Sequence, residues 1–313
     1  MDKQLPWRQW LPEFVLLAAM WGSSFLFMRE GVHAFGPFAT AWVRVTIAAL
    51  ALMPFLIWRK QTGAMVHSWR PILLMGLLSS GIPAACYSFA LLFISTGLSS
   101  ILNSTTPLFG ALIAWWWLGD RLNAWRVLGL VFGFAGVVLL TLNGSGASAL
   151  TYGDEELAIA ACLLATLCYG VAGSFIKKYL FDVPVMVTTT GSLFGASIGL
   201  LLPAVWFWPS EPPSLQAWLS LLILGLFCTA LAYVMYFRLM TRNGPATAMT
   251  VTYLIPVFAN CIGVVWLDEI VTPWMLGCGV LIVLGTALAS GLISPKNNER
   301  KTYLLNTSSI PVS

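Results

Sequence analysis

The sequence predicts an all-α integral membrane protein with ten transmembrane helices, arranged as two inverted five-helix repeats. Three observations carry this. Asp, Glu, Lys and Arg make up 9% of the 313 residues, where a soluble domain carries about 25%, and mean hydropathy is +0.84. Continuous apolar runs recur along the chain, each long enough to cross about 30 Å of hydrocarbon as a helix. The two halves also repeat shared features in the same order, about 148 residues apart. A soluble fold of this size could not cover its surface with so few charges. A water-soluble domain is excluded on that ground, and nucleic-acid binding with it.

The apolar runs lie near 12–29, 37–58, 70–93, 97–119 and 124–142, and again near 155–177, 183–207, 215–239, 245–267 and 273–294. They do not alternate polar and apolar residues, which argues against membrane strands. The first run is long, rich in large residues and lacks a small-residue cleavage site, so it reads as an anchor rather than a signal peptide. With the N-terminus in the cytoplasm, 14 of the 16 basic residues fall on the inner side. The outer loops then hold only Arg29, and Arg44 lies inside the second span. This is the asymmetry of the positive-inside rule. The outer loop 143–156 carries Asp154, Glu155 and Glu156 and no basic residue. Both termini are expected in the cytoplasm.

Six cysteines fall inside apolar runs with no C-x-x-C pair, so they read as small apolar filler. His33 and His67 are expected between spans, which argues against a metal site or histidine catalysis. No cofactor is implied.

The repeat is visible in several places. Leu16-Leu17-Ala18-Ala19-Met20-Trp21-Gly22 resembles the stretch from Leu163 to Tyr169-Gly170. Pro107-Leu108-Phe109 leading to Leu118-Gly119-Asp120 resembles Pro256-Val257-Phe258 leading to Leu267-Asp268-Glu269. Each is followed by a tryptophan and a glycine-bearing run: Trp125 with Gly129, Gly133 and Gly136, and Trp274 with Gly277, Gly279 and Gly285. The units are residues 1–145 and 146–295, with 296–313 a cytoplasmic, disordered tail. Five spans is an odd number, so the second unit enters the membrane from the opposite side. Such inverted pairs place a site near the midplane and have two packings, one open to each side.

In these features the chain resembles the drug/metabolite transporter superfamily, EamA type. The matching residues are Trp21-Gly22-Ser23-Ser24-Phe25, Arg44, Pro107 and the glycine-rich fifth span, over about residues 12–294. The fourth span ends in Asp120, where the family often has Glu; the second half has Glu269 there. The resemblance implies a multi-pass protein of the cell membrane, expected as a bacterial inner membrane, that moves metabolites, amino acids or drugs. It also implies a cavity between spans 1, 3, 4, 6, 8 and 9, with spans 5 and 10 at the periphery or in a homodimer contact through their glycines.

Polar residues inside spans usually face protein or a cavity. Ser99, Asn103, Thr106 and Gly110 fall on one helical face. The candidate substrate residues are Trp21, Ser24, Tyr87, Asn103, Thr106, Tyr169, Tyr233, Tyr253 and Asn260. Interhelical hydrogen bonding is the alternative for any one of them. Pro107 and Pro256 are expected to kink their helices at matching places, as static bends or as hinges. Most tryptophans lie near span ends and read as an interfacial belt. Arg44 would either attract a carboxylate substrate or make a structural bond, to helix-end carbonyls or to a carboxylate such as Glu30 or Glu269; the structural role is favoured.

The expected partners are a small-molecule substrate and membrane lipid. The expected function is a secondary transporter exporting small metabolites, such as amino acids or related amphiphilic compounds, by alternating access. No Walker A loop is present to take ATP. An intramembrane enzyme and a channel are the alternatives. The acids Glu13, Glu30, Asp120, Asp182, Asp268 and Glu269 all lie at expected span ends. Proton coupling through a mid-membrane carboxylate is therefore not expected.

Overall fold

Gly36 and Pro37 separate the first two spans with a single break. A computed structural model describes residues 7–142, 154–243 and 248–291. In it α1 (Trp7–Trp58) is one helical segment kinked at Gly36, where φ is 73° and ψ 172°. Only glycine adopts that backbone without strain. Pro37 follows, at the start of the second limb, where a helix loses nothing by a missing N–H. The first limb therefore runs to Phe35 rather than ending near residue 29. Arg29, Glu30 and His33, expected at a span end or in a loop, are helical. Charge marked the edge of the hydrocarbon there, but nothing before Gly36 stops the helix.

The remaining elements are α2 (Thr62–His67), α3 (Trp69–Gly76) continuing into α4 (Ile82–Ala90), α5 (Thr96–Asn103), α6 (Thr106–Leu118), α7 (Ala124–Leu142) and α8 (Asp154–Tyr179). Then come α9 (Val185–Trp206), α10 (Leu215–Gly225) continuing into α11 (Ala232–Asn243), α12 (Val251–Leu267) and α13 (Pro273–Ala289). Each apolar run is mainly helical over its described residues. Among the described residues six segments are long and apolar enough to cross a bilayer, and α12 and α13 are shorter apolar helices. The loop 143–153 and the tail 296–313 lie outside the described residues.

Two helices pass through a π-helical turn at equivalent places, Leu77–Gly81 and Leu226–Leu231. In the first, Pro83 has no N–H to offer back along the helix. In the second, Thr229 Oγ1 donates to the Leu224 carbonyl at 2.8 Å. The fourth span is not a kinked helix but two helices. Ser104 and Thr105 interrupt it, and Pro107 sits in the first turn of α6. The hydroxyl of Thr105 takes the Leu102 carbonyl at 2.7 Å, and Thr286 takes that of Ser104 at 3.1 Å. Side chains thus compete for the backbone and end α5. The stripe Ser99–Asn103–Thr106–Gly110 is accordingly split. Pro256 remains inside α12, so the two prolines differ in local role.

Small residues let the helices touch. A Cβ on Gly22 would strike Phe258 and the α12 backbone, and one on Gly170 would strike Phe109 and Gly110. Gly76 lies on the Ser192 carbonyl and Gly225 beside the Arg44 carbonyl. Each contact recurs one repeat length along the chain. Helices α7 and α13 pack with Gly129 and Gly133 against Gly285, so these glycines are used within the chain.

The bundle has two ends. At the Gly36 end, Phe35 packs edge-on to Trp208 and Trp218, and Trp274 donates to the Leu139 carbonyl. At the opposite end, which carries Arg59, Trp117 packs on Phe175 and Tyr179. Trp58, Trp116, Trp206 and Trp266 are exposed, as suits the lipid interface.

Candidate functional site

Aromatic residues from four spans meet inside the bundle. Trp21 packs against Tyr233 and Tyr236, with centroids 6.4 and 5.3 Å away. Phe25, one turn on from Trp21, meets Tyr87 edge-on at 5.9 Å, and Tyr87 stacks on Tyr169 at 6.4 Å. The Tyr87 hydroxyl donates to Asn103 Oδ1 at 2.9 Å, which brings in the end of α5. Tyr233 lies beside Ser80 of the first π turn.

Arg44 enters this group from the second limb of α1. Its Nε donates to Thr229 Oγ1 at 2.9 Å. The π turn aims that hydroxyl: its own proton goes to Leu224, so toward Arg44 it can only accept. The charge lies close enough to Tyr169, Tyr233 and Cys228 to act on all three. Among the described residues Arg44 has no carboxylate within ion-pair distance. Of the structural bonds considered for Arg44, a carboxylate partner is not found: Glu269 pairs with Arg29, and Glu30 lies 3.5 Å from Gln216.

Of the candidate residues, Tyr169 and Tyr233 lie near Arg44; Trp21 joins them through Tyr233, Tyr87 through Tyr169, and Asn103 through Tyr87. Ser24 is buried and donates to the Trp21 carbonyl at 2.6 Å; Thr106 donates to the Asn103 carbonyl at 2.8 Å. Both serve their own chain at that point. Tyr253 stands apart at the Arg59 end, its hydroxyl 3.1 Å from Ser290 Oγ. Asn260 donates to the Pro256 carbonyl at 2.8 Å and faces Gly97. Among the described residues no three His, Cys, Asp or Glu side chains group as a metal site would.

Three ion pairs were not foreseen: Arg238 Nε lies 3.5 Å from Glu13 Oε1, and the other two are related by the repeat. At the Gly36 end Arg29 Nη1 lies 2.6 Å from Glu269 Oε1. The same carboxylate accepts from Thr96 N at 2.8 Å, Thr96 Oγ1 at 2.7 Å and Gly97 N at 3.3 Å. It thus holds the first limb of α1 to the start of α5. At the Arg59 end Lys177 Nζ lies 3.0 Å from Asp120. Lys177 is one repeat length after Arg29, and Glu269 one repeat length after Asp120. That equal spacing was the signal available in the sequence. The two pairs differ in burial: side-chain exposure is 30% and 6% for Arg29 and Glu269, against 59% and 41% for Lys177 and Asp120.

Comparison with known proteins gives the same picture of the whole chain. The chain is similar to the uncharacterized transporter YoaV of Bacillus subtilis (strain 168), 26% identical over 278 residues, covering 88% of this chain and 91% of that protein. It is also similar to a probable terminal-alkyne amino-acid exporter of Streptantibioticus cattleyicolor, 24% identical over 293 residues, covering 92% and 95%. A solved crystal structure matches in fold with a TM-score of 0.63 at 20% identity, covering 90% of this chain and 96% of the other. The model of the EamA-like transporter family matches residues 10–142 and 156–291. This multi-pass membrane protein therefore belongs to the EamA-like transporter family.

Proposed function

We propose that the protein is a secondary transporter that exports small metabolites, such as amino acids or related amphiphilic compounds, by alternating access. The observation that carries this is the pair of repeat-related ion pairs at opposite ends of the bundle. Two packings of an inverted repeat exchange the environments of equivalent residues. The Glu269 carboxylate is 6% exposed and accepts from Arg29, Thr96 and Gly97, while Asp120 is 41% exposed and accepts from Lys177 alone. That is the pattern of a latch closed at one end and loosened at the other. The charge distribution supports an orientation with the Gly36 end outside and both termini in the cytoplasm. The described state is then closed to the outside, with units 1–145 and 146–295 as the two halves. The aromatic group around Arg44 lies between the latches, where a substrate would be held. The name of the exporter from Streptantibioticus supports an amino-acid-like cargo.

The test is a metabolite profile of cells overproducing the protein, comparing medium with cell contents. One or more small metabolites should move to the medium relative to an empty vector. A compound chemically altered by purified protein would favour an enzyme, and single-channel current would favour a channel.

A further inference from the structure

The arginine at the centre of the bundle has no partner of opposite charge among the described residues. Arg44 lies eight residues past the Gly36 break, or about 12 Å along the helix. Thr229 takes its Nε–H. Among the described residues no acceptor takes the four N–H groups of its two terminal amino groups. Arg44, Tyr169, Tyr233, Trp21 and Asn103 each keep some open surface. A cation at this depth is stable only beside a counter-charge or water. All the acids that make described ion pairs, Glu13, Asp120 and Glu269, lie at the ends of the bundle. The group around Arg44 therefore offers one fixed cation and no fixed anion.

We propose that Arg44 is the carboxylate-recognising residue of the substrate site, and that the cargo is a small monocarboxylate with an apolar or aromatic body. This rests on the transporter reading above. The two terminal amino groups form a fork that matches a carboxylate, giving two parallel charge-assisted hydrogen bonds. Thr229 orients the fork by holding Nε, and the π turn around Thr229 supplies that acceptor at mid-helix, as π turns often do at functional sites. The body of the cargo lies on the rings that keep open surface, Trp21, Tyr169 and Tyr233, with Tyr87 packed behind Tyr169. Among the described residues no acidic side chain is placed at Arg44 to meet an ammonium group, so the amino group of an amino acid is tolerated rather than required. The carboxylate is the determinant.

The experiment has two parts. The first compares cells producing the wild type, Arg44→Gln or Arg44→Lys with an empty vector, profiling the medium. Compounds enriched by the wild type should carry a carboxylate. Arg44→Gln should lower their export at least about tenfold, the loss of a charge-assisted pair, and Arg44→Lys should restore part of it. The second uses wild-type proteoliposomes preloaded with the labelled form of the most enriched compound. The external free acid and its N-acetyl derivative should accelerate efflux by exchange, and its carboxamide should not. This part needs no variant, so it decides the matter even if Arg44→Gln fails to fold. Enriched compounds without a carboxylate, a carboxamide as effective as the acid, or folded Arg44→Gln exporting normally would each overturn the assignment and leave the transporter reading standing. No enrichment by the wild type would overturn the transporter reading, and the assignment with it.

Discussion

Replacing Glu269 by Gln should open the Gly36 end. The carboxylate holds Arg29, Thr96 and Gly97 through four contacts of 2.6–3.3 Å, and its side chain is 6% exposed. Glutamine keeps the shape but turns one acceptor into a donor facing N–H groups, and it strands the Arg29 charge. Breaking a buried pair from one side costs about 3–5 kcal/mol. Arg29 is 30% exposed, so water repays part of that, and we take about 3 kcal/mol. This shifts the balance between closed and open states roughly 100-fold. The reporter is Cys162, which is fully buried beside Ser99 at 3.6 Å, just inside the latch. With Cys86, Cys168, Cys228, Cys261 and Cys278 changed to alanine, a membrane-impermeant maleimide should label Glu269→Gln in intact cells up to about 100-fold faster than the parent. Asp120→Asn removes an exposed pair worth about 0–1 kcal/mol and should change the rate less than about fivefold. Labelling of Glu269→Gln at the parental rate, or an equal rise in Asp120→Asn, would refute the latch.

The other expectations are simpler. A cysteine at Ser148 should react with an impermeant reagent in intact cells; reaction only after lysis would reverse the orientation. Gly285→Val drives a side chain into Gly133 and the Gly129 carbonyl and should cost about 1–3 kcal/mol or more, read as a lower melting temperature in detergent. Gly173→Ala, at a helical position with open space around it, should be neutral or gain about 0.5–1 kcal/mol. Thr229→Val removes the acceptor for Arg44 Nε and the donor to Leu224, and should slow export while the protein remains in the membrane. Efflux from loaded proteoliposomes should proceed without an imposed pH gradient; an absolute need for one would show that a titratable group serves as a carrier.

How far the site could be read in advance depended on the kind of signal. Trp21, Tyr87, Tyr169 and Tyr233 stood out because a polar or amphipathic side chain in mid-span needs a protein or cavity environment, and the bundle does bring them together. Tyr253 met the same criterion but lies 3.1 Å from Ser290 at the Arg59 end. A run of hydrophobic residues does not say at which depth a hydroxyl finds its partner. The pairing of Arg29 with Glu269 was missed because charges at a span end look solvated, and Glu269 was weighed only as a partner of Arg44. Their burial comes from two segments 240 residues apart meeting at one point, which no local pattern encodes.

The sequence by itself determined the class of the fold, the helical runs and the family. Each of these follows from composition or local periodicity: a chain that is 58% hydrophobic must satisfy its backbone inside the membrane as helices. It also carried the repeat, because duplication leaves matched residues at constant spacing. Only the tertiary structure decided that Gly36 joins two limbs of one helical segment, that the fourth span is broken at Ser104 and Thr105, and that Gly129 and Gly133 of α7 pack on Gly285 of α13. Only it placed Glu269 on Arg29 and left Arg44 with Thr229. The physical reason is that hydrogen bonds and ion pairs are short-ranged and saturable. Which donor meets which acceptor is settled by the approach of distant helices, and that approach is set by packing rather than by any single stretch of chain.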